Sequence, residues 1–220
     1  MIDSTIITDP YIFLQDNMLS EYKCKEICKK FDQNTEQQCQ GSTGAGIDLD
    51  IKNSKDINVS DFKIQEHWKE EDQLFHDIIG KGHNDYYEHL NNPFVNTFYN
   101  FTNPSKRHDF HPICGENMEI LDTGFQIQKT EPGKGYVWHD DSRLEGGLLR
   151  YLTFILYLNT VEEGWTQFYN GNQVSPVAGR LIFFPATWTY VHQGYPPKQT
   201  KYLMTGWMHT HPKKLKDGKN

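Results

Sequence analysis

The chain has 220 residues, a formal net charge of −7, and a composition that is 36% hydrophobic and 14% aromatic. That suffices for one domain with a single sizeable core and is too aromatic for a disordered chain. No run of about 18 apolar residues occurs, so a membrane-spanning helix is not expected, and an acidic balance gives bulk charge no reason to recruit nucleic acid. The charge is unevenly placed: residues 131–220 balance at +3 and residues 1–130 at −10, which either suits the second half to a small acidic ligand or is a mere drift of surface charge.

In chain order, the opening Met-Ile-Asp-Ser-Thr lacks the basic and apolar regions of a secretory signal. Ile12, Phe13, Leu19, Tyr22, Ile27 and Phe31 recur at a loose helical spacing and predict helix through residues 10–31. Cys24, Cys28, Cys39 and Cys114 form no CxxC pair and read as packed or exposed thiols in a reducing, cytoplasmic setting. Residues 32–46 read as loop from their Gln, Asn, Ser, Thr and Gly content. Ile47, Leu49 and Ile51 alternate with Asp48 and Asp50, the pattern of a short half-buried strand. Leu74, Phe75, Ile78, Ile79, Tyr86 and Leu90 predict one or two helices, and residues 91–117 a long loop.

The character changes near residue 118. Phe125, Ile127 and Lys129 open a strand that Pro132-Gly133 and Gly135 end. Residues 148–158, 165–169, 180–184 and 200–207 are strand-forming runs, separated by turn residues at Glu163-Gly164, Asn170 to Asn172, Pro176 to Gly179 and Gly194 to Pro197. Short strands at such spacing predict a β-sandwich or barrel.

His139-Asp140-Asp141 lies within VWHDDS. On an extended segment, residues two apart share a face about 7 Å apart at Cα, so an imidazole and a carboxylate can reach one metal. The motif alone is weak. Ten histidines among 29 acidic residues give about one His-x-acid pair by chance, and the chain has two, the other being His83-x-Asp85. His83 lies in a helical pattern, where residues two apart diverge by about 200°, and is expected on the surface. His139 follows a Gly-rich turn between two strand signals. His192, after the 180–184 run, would complete a two-His-one-carboxylate set, which holds Fe(II) and leaves open positions. Lys201 opens the last, otherwise apolar strand. Pointing inward, its ammonium needs an anionic partner such as a dicarboxylate; pointing outward, it is an ordinary strand-end lysine.

Taken in order, FQIQ (125–128), EPGKGYVWHDD (131–141), RYLTFILYLN (150–159), EGWTQF (163–168), GRLIFFP (179–185) and KYLMTGW (201–207) resemble the Fe(II)/2-oxoglutarate-dependent dioxygenases, and within them the prolyl 4-hydroxylase-like branch. The resemblance covers residues 118–211. It implies a mainly β fold with flanking helices: a double-stranded β-helix, or jelly roll. Residues 1–117 would be a helical and loop support integrated with the core, 118–211 the catalytic core and 212–220 a basic tail. It implies His139, Asp141 and His192 as iron ligands and Lys201 as the partner of the far carboxylate of 2-oxoglutarate. Tyr157 matches a tyrosine that bonds the same carboxylate, its other reading being a core aromatic. Thr166 and Phe168 match positions near the cosubstrate pocket. Where the family usually has tyrosine before the Pro-Gly turn, this chain has Lys129-Thr130, so one cosubstrate hydrogen bond is lost or supplied by Thr130. The implied reaction consumes O2, converts 2-oxoglutarate to succinate and CO2, and hydroxylates an unactivated C–H bond. Ascorbate dependence is a habit of the family.

Trp207-Met208-His209 sits where peptidyl-prolyl hydroxylases carry Trp-x-His, and Tyr136 and Arg150 match substrate-contacting positions of that subgroup. The resemblance thus implies a prolyl residue in a peptide or protein as substrate. A free amino acid or small metabolite is the alternative with the same chemistry, and a jelly-roll binding module the alternative without it. In structural terms alone, Trp207 packs in the sheet, His209 is a surface residue and Arg150 binds a surface carboxylate. No arginine-rich run follows His192, which disfavours a nucleobase demethylase. Residues 91–117 and SRLEGG (142–147), hinged at Gly146-Gly147, are the expected lids. The likeness to bacterial and phage-borne members implies a cytoplasmic protein, in the host cytoplasm if phage-encoded. Oligomeric state is not legible.

Overall fold

In the computed structural model, residues 3–91, 118–145 and 148–212 are described. Cys114, nearly all of the expected lid at 91–117, the Gly146-Gly147 hinge and the basic tail from Lys213 onward lie outside the described residues. The elements run β1 (Phe13–Gln15), α1 (Glu21–Gln33), a 3-10 turn (Thr35–Gln37), β2 (Cys39–Gln40), β3 (Lys55–Asn58), α2 (Gln65–Asn91), β4 (Met118–Asp122), β5 (Gln126–Thr130) and β6 (Tyr136–His139). There follow β7 (Leu144–Glu145), β8 (Leu148–Tyr157), β9 (Thr166–Phe168), β10 (Gln173–Val174), β11 (Leu181–Pro185), β12 (His192–Gly194) and β13 (Lys201–Pro212).

Among the described residues the strands form two antiparallel sheets. The larger is ordered β1-β11-β8-β13-β5-β3-β2, with β4 also on β13 and β7 on β8; the smaller is β10-β9-β12-β6. This is a mostly β, two-sheet jelly roll with two flanking helices. No described helix is long and apolar enough to cross a membrane.

Alternation along the strands places the two faces. On β13, Tyr202, Met204 and Met208 join the core under the helices, while Lys201, Leu203, Thr205 and Trp207 line a cavity between the sheets. On β11, Leu181 and Phe183 face the helices, and Ile182 and Phe184 face inward. From Arg150 onward the strand β8 is buried on both faces, which explains why residues 154–158 are continuously apolar. Helix α1 starts at Ser20, whose hydroxyl accepts the Lys23 N–H at 3.2 Å, and buries Cys24, Ile27 and Phe31 at helical spacing. In α2, Phe75 packs on Phe125 and Tyr86 stacks on Phe183.

Three expectations are corrected. Residues 10–20 are not helical: the Asp9 carboxylate accepts the Tyr11 N–H, and Phe13 to Gln15 pair with β11, so sheet pairing prevails over a loose helical spacing. Residues 47–51 are not a strand. The Asp48 carboxylate accepts the Asp50 N–H and its carbonyl accepts the N–H groups of Ile51 and Lys52. This turn leaves Ile47 64% exposed; the strand lies further on, at β3. His83 is not on the surface, for its ring packs edge-on against Tyr151 and Phe183.

Candidate active site

Two irregularities in strand pairing shape the cavity. Met208 pairs with Leu152 but His209 pairs with Arg150, so β8 carries one extra residue. This bulge puts Arg150 on the same inward side as Thr153 and Ile155. Likewise His139 pairs with His192 and Tyr136 with Gly194, three residues of advance against two. That brings Tyr136 and His139 to one face, their rings stacked at 3.5 Å. The resulting cavity, about 450 Å³, is lined by His139, Asp141, His192, Lys201, Thr166 and Thr130 among others.

His139, Asp141 and His192 converge, with one ligand atom from each lying within 4.8 Å of the others. His139 Nε2 is 4.0 Å and His192 Nε2 3.7 Å from the Asp141 carboxylate. Both rings are held by main-chain carbonyls: His139 Nδ1 lies 2.7 Å from the Val137 oxygen and His192 Nδ1 2.9 Å from that of Tyr190. A proton on each Nδ1 leaves each Nε2 lone pair for the common point. The Thr153 hydroxyl donates to Asp141 Oδ2 at 2.7 Å. Burial, aided by the neighbouring His192, lowers the His139 pKa to about 4. Asp141 is held below the usual carboxylate range: burial pushes it up, but His192 and His139 and the bonds to its oxygens prevail. At neutral pH His139 is therefore a neutral imidazole and Asp141 a carboxylate, the protonation that a divalent metal needs of such ligands.

Lys201 points inward. Its ammonium, 3% exposed, donates to the Gly164 carbonyl at 2.8 Å, and burial lowers its pKa to about 8. Gly164 sits at φ +69°, and a Cβ there would meet Pro197 at 2.9 Å and Lys201 at 3.3 Å, so glycine permits this approach. One carbonyl cannot satisfy three ammonium donors or their charge, and Thr130, paired with Lys201, lines the cavity beside it. The residues therefore fit both groups: the triad a divalent iron, the lysine pocket a dicarboxylate.

The remaining expected site residues divide. Thr166, Tyr136, Arg150 and Trp207 line the cavity, and the Arg150 guanidinium lies 3.5 Å above the Trp207 ring. Burial raises the Tyr136 pKa to about 12. Tyr157 lies one layer behind the cavity wall, its hydroxyl 2.6 Å from that of Thr166. Phe168 is also behind the wall, packed on His192 and Phe184. His209 is buried on β13 and does not line the cavity. Sequence reasoning missed Thr153, and missed Lys52 and Ser54, which line the cavity from the N-terminal half.

Residues 125–209 match the model of the 2OG-Fe(II) oxygenase superfamily. The match takes in His139, Asp141, His192 and Lys201. In fold it is similar to the viral collagen prolyl hydroxylase of Paramecium Bursaria Chlorella virus-1, with 19% identity, a TM-score of 0.54, and coverage of 90% of this chain and 96% of that one. It is similar to a Trichoplax adhaerens prolyl hydroxylase solved with a hypoxia inducible factor peptide, with 16% identity, a TM-score of 0.59, and coverage of 90% and 83%. A Pseudomonas putida prolyl-4-hydroxylase is 17% identical, with a TM-score of 0.52 and coverage of 90% and 91%. No curated protein matches the chain significantly.

Proposed function

We propose that this protein is an Fe(II)- and 2-oxoglutarate-dependent dioxygenase that hydroxylates prolyl residues in a peptide or protein. The observation that carries the reading is the pairing, in one cavity, of the convergent His139, Asp141 and His192 with the buried inward ammonium of Lys201. A jelly-roll binding module has no use for that lysine. His139, Asp141 and His192 would hold the iron, and Lys201 with Thr130 and Thr166 the far carboxylate of 2-oxoglutarate. When bound, these groups supply the O2-dependent oxidising power that puts hydroxyl on a C–H carbon. Tyr157 acts through Thr166, fixing its hydroxyl. Tyr136, Arg150 and Trp207, which line the same cavity, would orient substrate. The prolyl substrate is supported by those three residues and by the fold shared with prolyl hydroxylases. Residues 118–211 form the catalytic core in this reading, with the first 117 residues as support. A reducing cytoplasm is supported by the free thiols of Cys24, Cys28 and Cys39.

The test is an anaerobic titration with Fe(II) and 2-oxoglutarate, following the weak visible charge-transfer band of the chelate, then oxygenation with a proline-containing peptide and mass analysis. A band lost in His139→Ala and needing far more 2-oxoglutarate in Lys201→Ala, with a 16 Da gain on proline, is expected (roughly one oxygen atom, as the chemistry of hydroxylation requires). No band at saturation would overturn the cofactor assignment, and a band with no mass gain on proline the substrate assignment.

A further inference from the structure

Lys52 is an expensive residue in its position. It is 5% exposed, in the wall of the catalytic cavity, and its ammonium donates to Asp56 Oδ2 at 2.8 Å. Asp56 is 1% exposed, and Ser54 donates to its other oxygen at 2.8 Å. Taking both charges out of water is costly, and an apolar pair would cost less. Ser54 and Lys52 line the cavity, whereas Asp56 does not, so Asp56 anchors Lys52 from behind the wall that Lys52 helps to form. Among the described residues the other two ammonium donors have no hydrogen-bond partner; the Tyr136 ring lies 5.7 Å away. The surroundings keep Lys52 in place. Lys52 bridges to Tyr136 on the metal-ligand strand. Gly41 brings the 41–46 loop over the cluster, where a Cβ would meet Ser54 Oγ at 2.3 Å and Lys52 Cε at 3.1 Å. In the lining of the same cavity Arg143 extends over Gly44, and Arg150 lies over Trp207.

We propose that Lys52 is a specificity-determining residue, binding a carboxylate on the substrate beside the carbon to be hydroxylated. This rests on the prolyl reading above for the reacting group, but not for the charge. The carboxylate has two sources, the side chain of an acidic residue flanking proline in a peptide or the main-chain carboxylate of free proline. The observation behind the proposal is a buried ammonium, anchored by Asp56, on a residue that lines the cavity and bridges to Tyr136.

The test measures binding and turnover separately. Labelled peptides differing only in Glu or Gln beside proline, and proline against prolinamide as competitors, are titrated anaerobically onto protein loaded with Fe(II) and 2-oxoglutarate. Wild type is expected to favour one carboxylate-bearing probe about tenfold, and Lys52→Gln to abolish that preference. Because the single change strands Asp56 in the interior, the double variant Lys52→Gln/Asp56→Asn is measured beside it, with the same loss expected. A preference for Glu over Gln assigns the side chain, and one for proline over prolinamide the main chain. Equal binding within both pairs, or a preference surviving in both variants, overturns the proposal, as does no binding at all. A charge preference in binding without hydroxylation of proline leaves Lys52 supported and overturns the prolyl reading instead.

Discussion

Thr153 would serve a metal held by Asp141 without touching it. Its bond to Asp141 Oδ2 fixes the carboxylate plane, and such supporting bonds are worth roughly 10- to 100-fold in metal affinity. Thr153→Val keeps shape and strand preference but removes the donor. It is expected to weaken Fe(II) binding about tenfold in the anaerobic titration, with Thr153→Ser near wild type; equal affinity in all three would remove Thr153 from the site. His83 is the contrasting case. Its Nε2 is buried with no hydrogen-bond partner among the described residues, and burial lowers its pKa below the ordinary value of 6.5. The unfolded chain then takes up a proton near pH 6.5 while the folded chain resists until lower pH. Stability is therefore unaffected above 6.5 and lost as pH falls below it. His83→Leu is expected to raise the melting temperature at pH 5.5 more than at pH 8, with about 1 kcal/mol gained from the orphaned nitrogen alone. A gain that does not depend on pH would show that His83 protonation is not opposed by the fold.

At the scale of elements, one side chain gathers an N-terminal segment that also pairs with β11 and bonds to residues 172–175. The Arg180 guanidinium, 5% exposed, takes Asp16 at 2.7 Å and Asp3 at 2.6 Å and donates to Thr5 at 2.8 Å, which holds β1 against β11. Its bond to Asp3 keeps that carboxyl well below the usual range despite burial. A depressed carboxylate stabilises above the unfolded pKa near 3.8 and loses that contribution as pH falls through and below it. Arg180→Met is expected to free residues 3–16 to amide exchange and cost about 2 kcal/mol, a figure discounted because both carboxylates are nearly half exposed. Unchanged exchange there would mean that strand pairing alone holds the segment. Legibility follows the same physics. The 148–158 and 180–184 strands were plain in the sequence because two-sided burial demands continuous apolar runs. β1 was not, since three residues on a sheet edge leave no period. The alternation at 47–51 misled because an Asx turn also spaces polar residues by two. His139, Asp141, His192 and Lys201 were legible only as an ordered set, whereas Thr153 looked like any strand threonine. Lys52 and Asp56, four apart, have the spacing of a helix-surface pair and meet instead between a turn and a strand.

For the whole molecule, the large sheet separates two tasks: its outer face is sealed by the helices and its inner face holds charge. The inner face bears the cost, because the folded chain encloses an ammonium at Lys201 with a single carbonyl for a partner. With the folded pKa near 8 against 10.5 unfolded, the unfolded chain binds the extra proton between these values, so stability without ligand rises with pH across that window. A bound dicarboxylate reverses the sign, since it needs the proton that burial is expelling. Affinity for 2-oxoglutarate should be level below pH 8 and fall about tenfold per unit above it, as binding comes to require proton uptake. Lys201→Met should bind 2-oxoglutarate weakly at every pH, lack the slope, and be the more stable protein without ligand at pH 7, where wild type buries a charge. Thermal unfolding from pH 6.5 to 9.5, under argon with Mn(II) in place of iron and with and without 2-oxoglutarate, reads all three. If the ligand-induced shift of wild type stays constant across pH 8, the ammonium is not what holds the cosubstrate, and the basic partner must be sought in Arg150 or Lys52, which line the same cavity.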